Sequence, residues 1–96
     1  MSDKGQAQVA PQILEAANAL SRLTEKFTLA CERAGGVPVF VDWLIQMRDQ
    51  TPPVPFKVIA VEIEDSFGVH VSVGTLWDWM QRLGVEEYLR EEADNG

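Results

Sequence analysis

The chain has 96 residues, of which 46% are hydrophobic and 24% are charged, with a net charge of −7. This size and globular composition predict one folded domain with a single core and leave no room for a separate catalytic domain. The sequence holds no apolar run of membrane-spanning length and no signal peptide, and its lone Cys31 has no disulfide partner. We therefore expect a protein of the reducing cytoplasm.

The acidic excess lies in the second half of the chain. Residues 51–96 contain three basic and nine acidic side chains, whereas residues 1–50 contain five and six. A surface of this sign repels a nucleic-acid duplex unless its charges are arranged asymmetrically. Any function assigned to the second half must accommodate this charge.

The first long apolar pattern predicts an amphipathic helix from Pro11 to Ala34, after a mobile leader over residues 1–10. Gly35 and Gly36 are expected to end this helix. Its apolar residues follow a 3-4-3-4 spacing on one stripe, namely Ile13, Ala16, Leu20, Leu23, Phe27, Ala30 and Ala34. The stripe predicts either packing on the chain's other helices or a homodimer contact through Ile13, Leu20, Leu23 and Phe27.

Further helices are predicted along the rest of the chain. Pro38 opens one that runs to about Gln50, and a rigid connector follows over residues 51–55. The next helix begins near Phe56 and breaks at Gly68, another extends from Ser72 to Gly84, and a short last turn over residues 86–90 precedes a frayed acidic tail, 91–96. The fold class is therefore an all-α domain of four to five helices over residues 11–90.

The segment between the last two long helices has the features of a helix-turn-helix, over about residues 55–84. Gly68 allows a positive φ after the first helix, and Val69 and Val71 can fill the angle between the two helices. Ser72 can cap the second helix, with Val71 and Leu76 at the spacing of a hydrophobic staple. Leu76, Trp79, Met80 and Leu83 are predicted to point inward.

The run FGVHVSVGTLWDWMQRLGV resembles the helix-turn-helix domains of bacterial insertion-sequence transposases and, more loosely, those of phage and plasmid regulators. The likeness covers residues 55–85 and lies in the order of Gly-Val, Val-Ser, Thr, Trp and Leu-Gly. It implies a small, dimeric DNA-binding regulator of transcription, of phage or plasmid type, with double-stranded DNA as its partner.

The resemblance also implies roles for individual residues. Ser72 and Thr75 would contact phosphates, and the outward positions would face the major groove, namely Val73, Gly74, Trp77, Asp78, Gln81 and Arg82. By their chemistry, Gln81 suits adenine and Arg82 suits guanine or a phosphate, while Lys57 and His70 are further candidates for phosphate contact.

The same positions support a second hypothesis, an acidic protein-interaction or inhibitor protein on a helix-turn-helix scaffold. An exposed Trp77 beside Val73 and Gly74 has the composition of the centre of a protein interface, whereas Asp78 would repel a phosphate backbone. Spacing alone leaves open whether Trp77 is such an anchor or is half buried against its own domain.

Other candidate chemistry is sparse, and we expect no enzyme activity, no metal and no cofactor. His70 is interpreted as a turn residue and Cys31 as a small core residue. Glu62, Glu64 and Asp65 are interpreted as a solvated helix face because no partner motif for acid-base chemistry accompanies them.

Overall fold

The computed structural model describes residues 9–95, and this part of the chain contains six α-helices. No β-strand occurs within these residues, so the all-α prediction is confirmed. The predicted count of four to five helices is wrong, because the chain has an extra break early and an extra helix late. Residues 1–8 of the predicted leader lie outside the described residues. The helices are α1 (Pro11–Leu23), α2 (Glu25–Ala34), α3 (Val37–Arg48), α4 (Phe56–Phe67), α5 (Val73–Leu83) and α6 (Val85–Asn95).

The predicted helix from Pro11 to Ala34 is two helices that meet at Thr24. Thr24 has an extended backbone, with φ −141° and ψ 129°, and the hydroxyl of Thr28 on α2 shares its proton between the carbonyl of Thr24 and that of Ser21 on α1. One straight helix over this span would be about 36 Å long. The break instead lets α1 pack on α5 and directs the Phe27 side chain into the core of the domain.

The C-terminal part of the chain is more helical than the sequence predicted. A short turn followed by a frayed tail was expected after residue 85, but α6 continues to Asn95. Val85 is fully buried, and Tyr88 and Leu89 pack against the core, so one side of α6 is held by the domain. The acidic first turn, Glu86 and Glu87, also has the favourable sign for a helix N-terminus.

Aromatic side chains from four helices form the centre of the core. Phe27 of α2 meets Phe40 of α3 edge to face at 5.6 Å between ring centroids, and it meets Trp79 of α5 in the same way at 5.1 Å. Trp43 of α3 and Phe67 of α4 extend the cluster, with their centroids 5.2 Å apart. Such pairs add directional preference to the hydrophobic burial, so they fix how α5 is rotated against α2 and α3.

Arg48 connects three parts of the chain that are distant in sequence. Its guanidinium forms two hydrogen bonds with the Glu86 carboxylate, at 2.8 and 3.1 Å, and donates to the Val54 carbonyl at 2.8 Å. It also lies 4.5 Å from the ring centroid of Phe56. The pair is partly buried, so its hydrogen bonds are less exposed to competition from water than those of a surface pair. Arg48 therefore holds α3, the proline connector and α6 together.

We predict that Arg48→Met lowers the free energy of unfolding by about 2 kcal/mol, because it leaves the Glu86 carboxylate and the Val54 carbonyl without their donor. Urea unfolding followed by circular dichroism measures the change. Arg22→Met is the matched control, since Arg22 is exposed on α1. Equal losses in the two variants would show that Arg48 has no special structural role.

Candidate functional site

The candidate site is built on α4, the segment after it, and α5. α4 ends at Phe67, and Gly68 adopts a positive φ of 70°, as the sequence predicted. Val69 and Val71 are both buried in the segment that leads to α5. α4 and α5 begin and end within one or two residues of the helices predicted from Phe56 to Gly68 and from Ser72 to Gly84. The first residues of α5 are exposed.

Arg33 of α2 closes the end of α4. Its Nη1 donates to the carbonyl of Phe67 at 3.0 Å and approaches that of Gly68 at 3.4 Å. The φ angle favours glycine here, and a Cβ atom added to Gly68 would lie 2.8 Å from this nitrogen and would displace the guanidinium. A cation at a helix C-terminus also interacts favourably with the helix dipole.

Ser72 caps α5, which confirms the predicted start of this helix. Its Oγ accepts a hydrogen bond from the Thr75 backbone N–H at 3.1 Å and donates to Thr75 Oγ1 at 3.0 Å. Val71 and Leu76, the two residues of the predicted staple, are both buried. The first turn of α5 is therefore fixed from two sides.

The sequence correctly predicted which side of α5 faces the core. All four of its predicted side chains are buried in the core, Leu76, Trp79, Met80 and Leu83. Successive helix residues are separated by about 100°, so two residues at i and i+2 point about 200° apart. Because Trp79 is inside, Trp77 must lie on the other side of the helix.

The outward side of α5 carries an exposed apolar stripe. Trp77 exposes 51% of its surface and Val73, one turn earlier, exposes 44%. Gly74 beside them has open space, since an added Cβ would meet nothing within 4 Å. The polar, exposed Gln81 lies one turn after Trp77 on the same side of the helix. We call these four residues, Val73, Gly74, Trp77 and Gln81, the α5 face.

The charged residues beside the α5 face neutralise each other. Arg82 Nε donates to Asp78 Oδ2 at 2.8 Å, and both side chains are more than half exposed. Such an exposed i,i+4 pair contributes little to stability. The DNA hypothesis assigned the Arg82 guanidinium to a base or a phosphate. In the structure this guanidinium is instead hydrogen-bonded to the Asp78 carboxylate of its own helix.

The two further candidates for phosphate contact lie outside α5. Lys57 lies in the first turn of α4, remote in sequence from α5, and its side chain is exposed. His70 is exposed in the segment between α4 and α5, where its Nδ1 lies 3.1 Å from Glu64 Oε1. Among the basic residues of the first half, Arg33 and Arg48 are engaged with main-chain carbonyls and Glu86, whereas Arg22 and Lys26 are exposed.

The residues predicted for a dimer contact are mostly part of the domain's own core. Ile13 and Leu20 on α1 and Phe27 on α2 are buried in the core of the domain. Leu23 is the exception, with 74% of its surface exposed. It borders an open cleft of about 510 Å³ at the α1–α2 break, together with Leu29.

The sequence predicted only a short turn over residues 86–90 where the acidic helix α6 lies beside α5. Gln81 at the end of the α5 face lines a shallow cleft with Glu86, Glu87 and Arg90 of α6. The signal was the spacing of Val85, Tyr88 and Leu89 in a stretch without proline or glycine, but the density of acidic residues favoured a frayed tail.

The remaining candidates have structural explanations. Cys31 is buried, and desolvation, followed by the charge of Glu32, raises the pKa of its thiol to about 12, which suits the predicted core residue and disfavours a nucleophile. Within residues 9–95, His, Cys, Asp and Glu side chains form no group of three that would hold a metal ion. In the same range, each helix is too short or too polar to cross a bilayer.

Comparison of the chain with protein families, with curated proteins and with solved structures gave no match. The assignment of a function therefore depends on the residues and geometry described above.

The two tryptophans of α5 should respond oppositely to truncation. We predict that Trp79→Ala lowers the free energy of unfolding by about 3 kcal/mol or more, because it opens a cavity in the aromatic core. Trp77→Ala should change it by about 0.5 kcal/mol or less, as is usual for surface substitutions. Urea unfolding of both variants measures the difference, and a Trp77→Ala variant as unstable as Trp79→Ala would place Trp77 in the core.

Proposed function

We propose that this protein is a binding module that recognises another protein through the α5 face. The observation that carries the proposal is the half-exposed Trp77 beside Val73 on a helix that is otherwise firmly anchored. Tryptophan is enriched among the residues that dominate binding energy at protein interfaces, and truncation of such an anchor costs about 2 kcal/mol or more. Trp77 has this position without a structural task of its own in the core.

The rigidity of α5 supports the same proposal. Ser72 fixes its first turn, Trp79 is locked against Phe27, and the αL conformation of Gly84 ends the helix. A partner that docks on a preformed helix does not have to order the backbone on binding, so a larger part of the contact energy becomes affinity. The α5 face thus combines an apolar anchor with a fixed geometry.

The charges favour a protein partner over a nucleic acid. Phosphate contacts by Lys and Arg supply most of the affinity for a duplex. From α4 to the end of α6 the chain has three such residues, Lys57, Arg82 and Arg90, and Arg82 is paired with Asp78. Nine acidic residues share the same region. A phosphate backbone placed against α5 would find Arg82 already paired with Asp78 and would be repelled by the acidic α6.

Binding of double-stranded DNA, by a small regulator of phage or plasmid type, is the second candidate. The observation that favours it is the succession of α4, a glycine-containing turn and the capped α5, with exposed Ser72 and Thr75 at the helix N-terminus and Gln81 on its outer side. Helix N-termini bind phosphates, and glutamine pairs with adenine. A dimer would supply more contacts, and we place its interface at the exposed Leu23 and Leu29 because the rest of the predicted stripe is buried.

Capture experiments separate the two candidates. We expect the tagged protein to retain a specific partner from an extract of its native host after nuclease treatment, and Trp77→Ala and Val73→Ala to weaken that retention about tenfold or more. Val61→Ala is the matched control, since Val61 is 52% exposed but lies on α4. Retention that disappears with nuclease would instead support DNA binding, and retention unchanged in Trp77→Ala would contradict the proposed function.

A further inference from the structure

We propose that the partner of the α5 face is a basic polypeptide segment with an apolar anchor. Its apolar side chains pack on Trp77 and Val73, and its cations lie against the exposed carboxylates of α6. This inference rests on the proposed function and specifies the chemistry of the partner.

The α5 face leads directly towards α6. Gln81 lies about 6 Å along the helix axis from Trp77, at a rise of about 1.5 Å per residue. It borders the cleft that also contains Glu86, Glu87 and Arg90. A partner segment that covers Trp77 and continues along α5 therefore reaches the acidic helix within about two helical turns.

The carboxylates of α6 are available for a partner. Glu86 is occupied by Arg48, but the other four acidic side chains of α6 are exposed, Glu87, Glu91, Glu92 and Asp94. Within the described residues none of these four forms an ion pair with a basic side chain of the chain itself. Glu87 borders the Gln81 cleft together with Arg90, and Glu91, Glu92 and Asp94 continue the acidic series along α6.

Charge complementarity selects the partner. An acidic surface accelerates the approach of a basic partner and disfavours an acidic one. A second copy of the chain carries the same charge of −7 and the same acidic α6, so it is repelled from this site. The Asp78–Arg82 pair has no net charge, so the Trp77 end of the site remains apolar. The partner therefore needs an apolar side chain there in addition to its basic residues.

Three synthetic peptides of about 14 residues, four helical turns, test the inference. The first is an amphipathic Leu/Lys helix, the second replaces every Lys by Glu, and the third has the same Lys content but no apolar residues. Fluorescence anisotropy of dye-labelled peptides gives each dissociation constant. We expect the Leu/Lys peptide to bind about tenfold or more tightly than either of the others.

Substitutions locate the binding site. Trp77→Ala should weaken Leu/Lys binding about tenfold, whereas Val61→Ala should leave it unchanged. Glu87→Gln with Glu91→Gln should weaken it about fivefold at low salt, and this loss should largely vanish near ~0.5 M salt. Glu15→Gln with Asp65→Asn removes the same charge from α1 and α4 and should have a smaller effect.

Three results would overturn the inference: equal binding of the Leu/Lys and Leu/Glu peptides, equal binding of the Lys peptide without apolar residues, or Leu/Lys binding that is indifferent to Trp77→Ala. If Trp77→Ala nevertheless loses a host protein in the capture experiment, the proposed function stands and only the basic partner is wrong. If the capture is also indifferent to Trp77→Ala, the proposed function itself fails.

Discussion

The helical period places Trp77 and Trp79 on opposite sides of α5, and the candidate site depends on this constraint. Residues two apart on a helix point about 200° from each other, so a helix that packs on the domain with one side only buries one of the two indoles. Trp79 is the buried one, edge to face with Phe27 and near Phe40. About half of the Trp77 surface is consequently left exposed by the part of the chain that the structure describes.

Contacts between distant parts of the chain hold the segments that lie next to this exposed surface. Arg33 of α2 closes the end of α4, which fixes the segment that leads into α5. Arg48 of α3 holds Glu86, which keeps the acidic α6 beside the C-terminal end of α5. The apolar anchor and the acidic helix are thereby held close together, and the Arg33 and Arg48 side chains that hold these elements are already engaged with main-chain carbonyls and with Glu86. Structure and charge in this way favour a protein partner.

Local physics explains what the sequence predicted correctly. The cap at Ser72, the glycine at position 68 and the inward stripe of α5 each depend on neighbouring residues, and each is found. The break at Thr24 was not predictable, because its apolar neighbours keep a helical spacing on both sides of it and only the packing of Phe27 against α3 and α5 requires the bend.

Long-range contacts explain what the sequence did not reveal. Arg48 and Glu86 are 38 positions apart, and nothing in their local sequence pairs them. The length of α6 was underestimated for the same reason, since its buried Val85 compensates for an acidic composition that by itself favours fraying. Whether Trp77 was an anchor or half buried also depended on neighbours outside α5, and the structure leaves half of its surface exposed.

The most direct test of the central claim is cross-saturation NMR on the complex with the captured host protein. The chain has three indole N–H signals, from Trp43, Trp77 and Trp79. Irradiation of the partner should attenuate the Trp77 signal strongly and leave that of the buried Trp79 nearly unchanged, because saturation passes only between protons in close contact. Attenuation of the Leu23 and Leu29 methyl signals at the α1–α2 break, with Trp77 unaffected, would contradict the account.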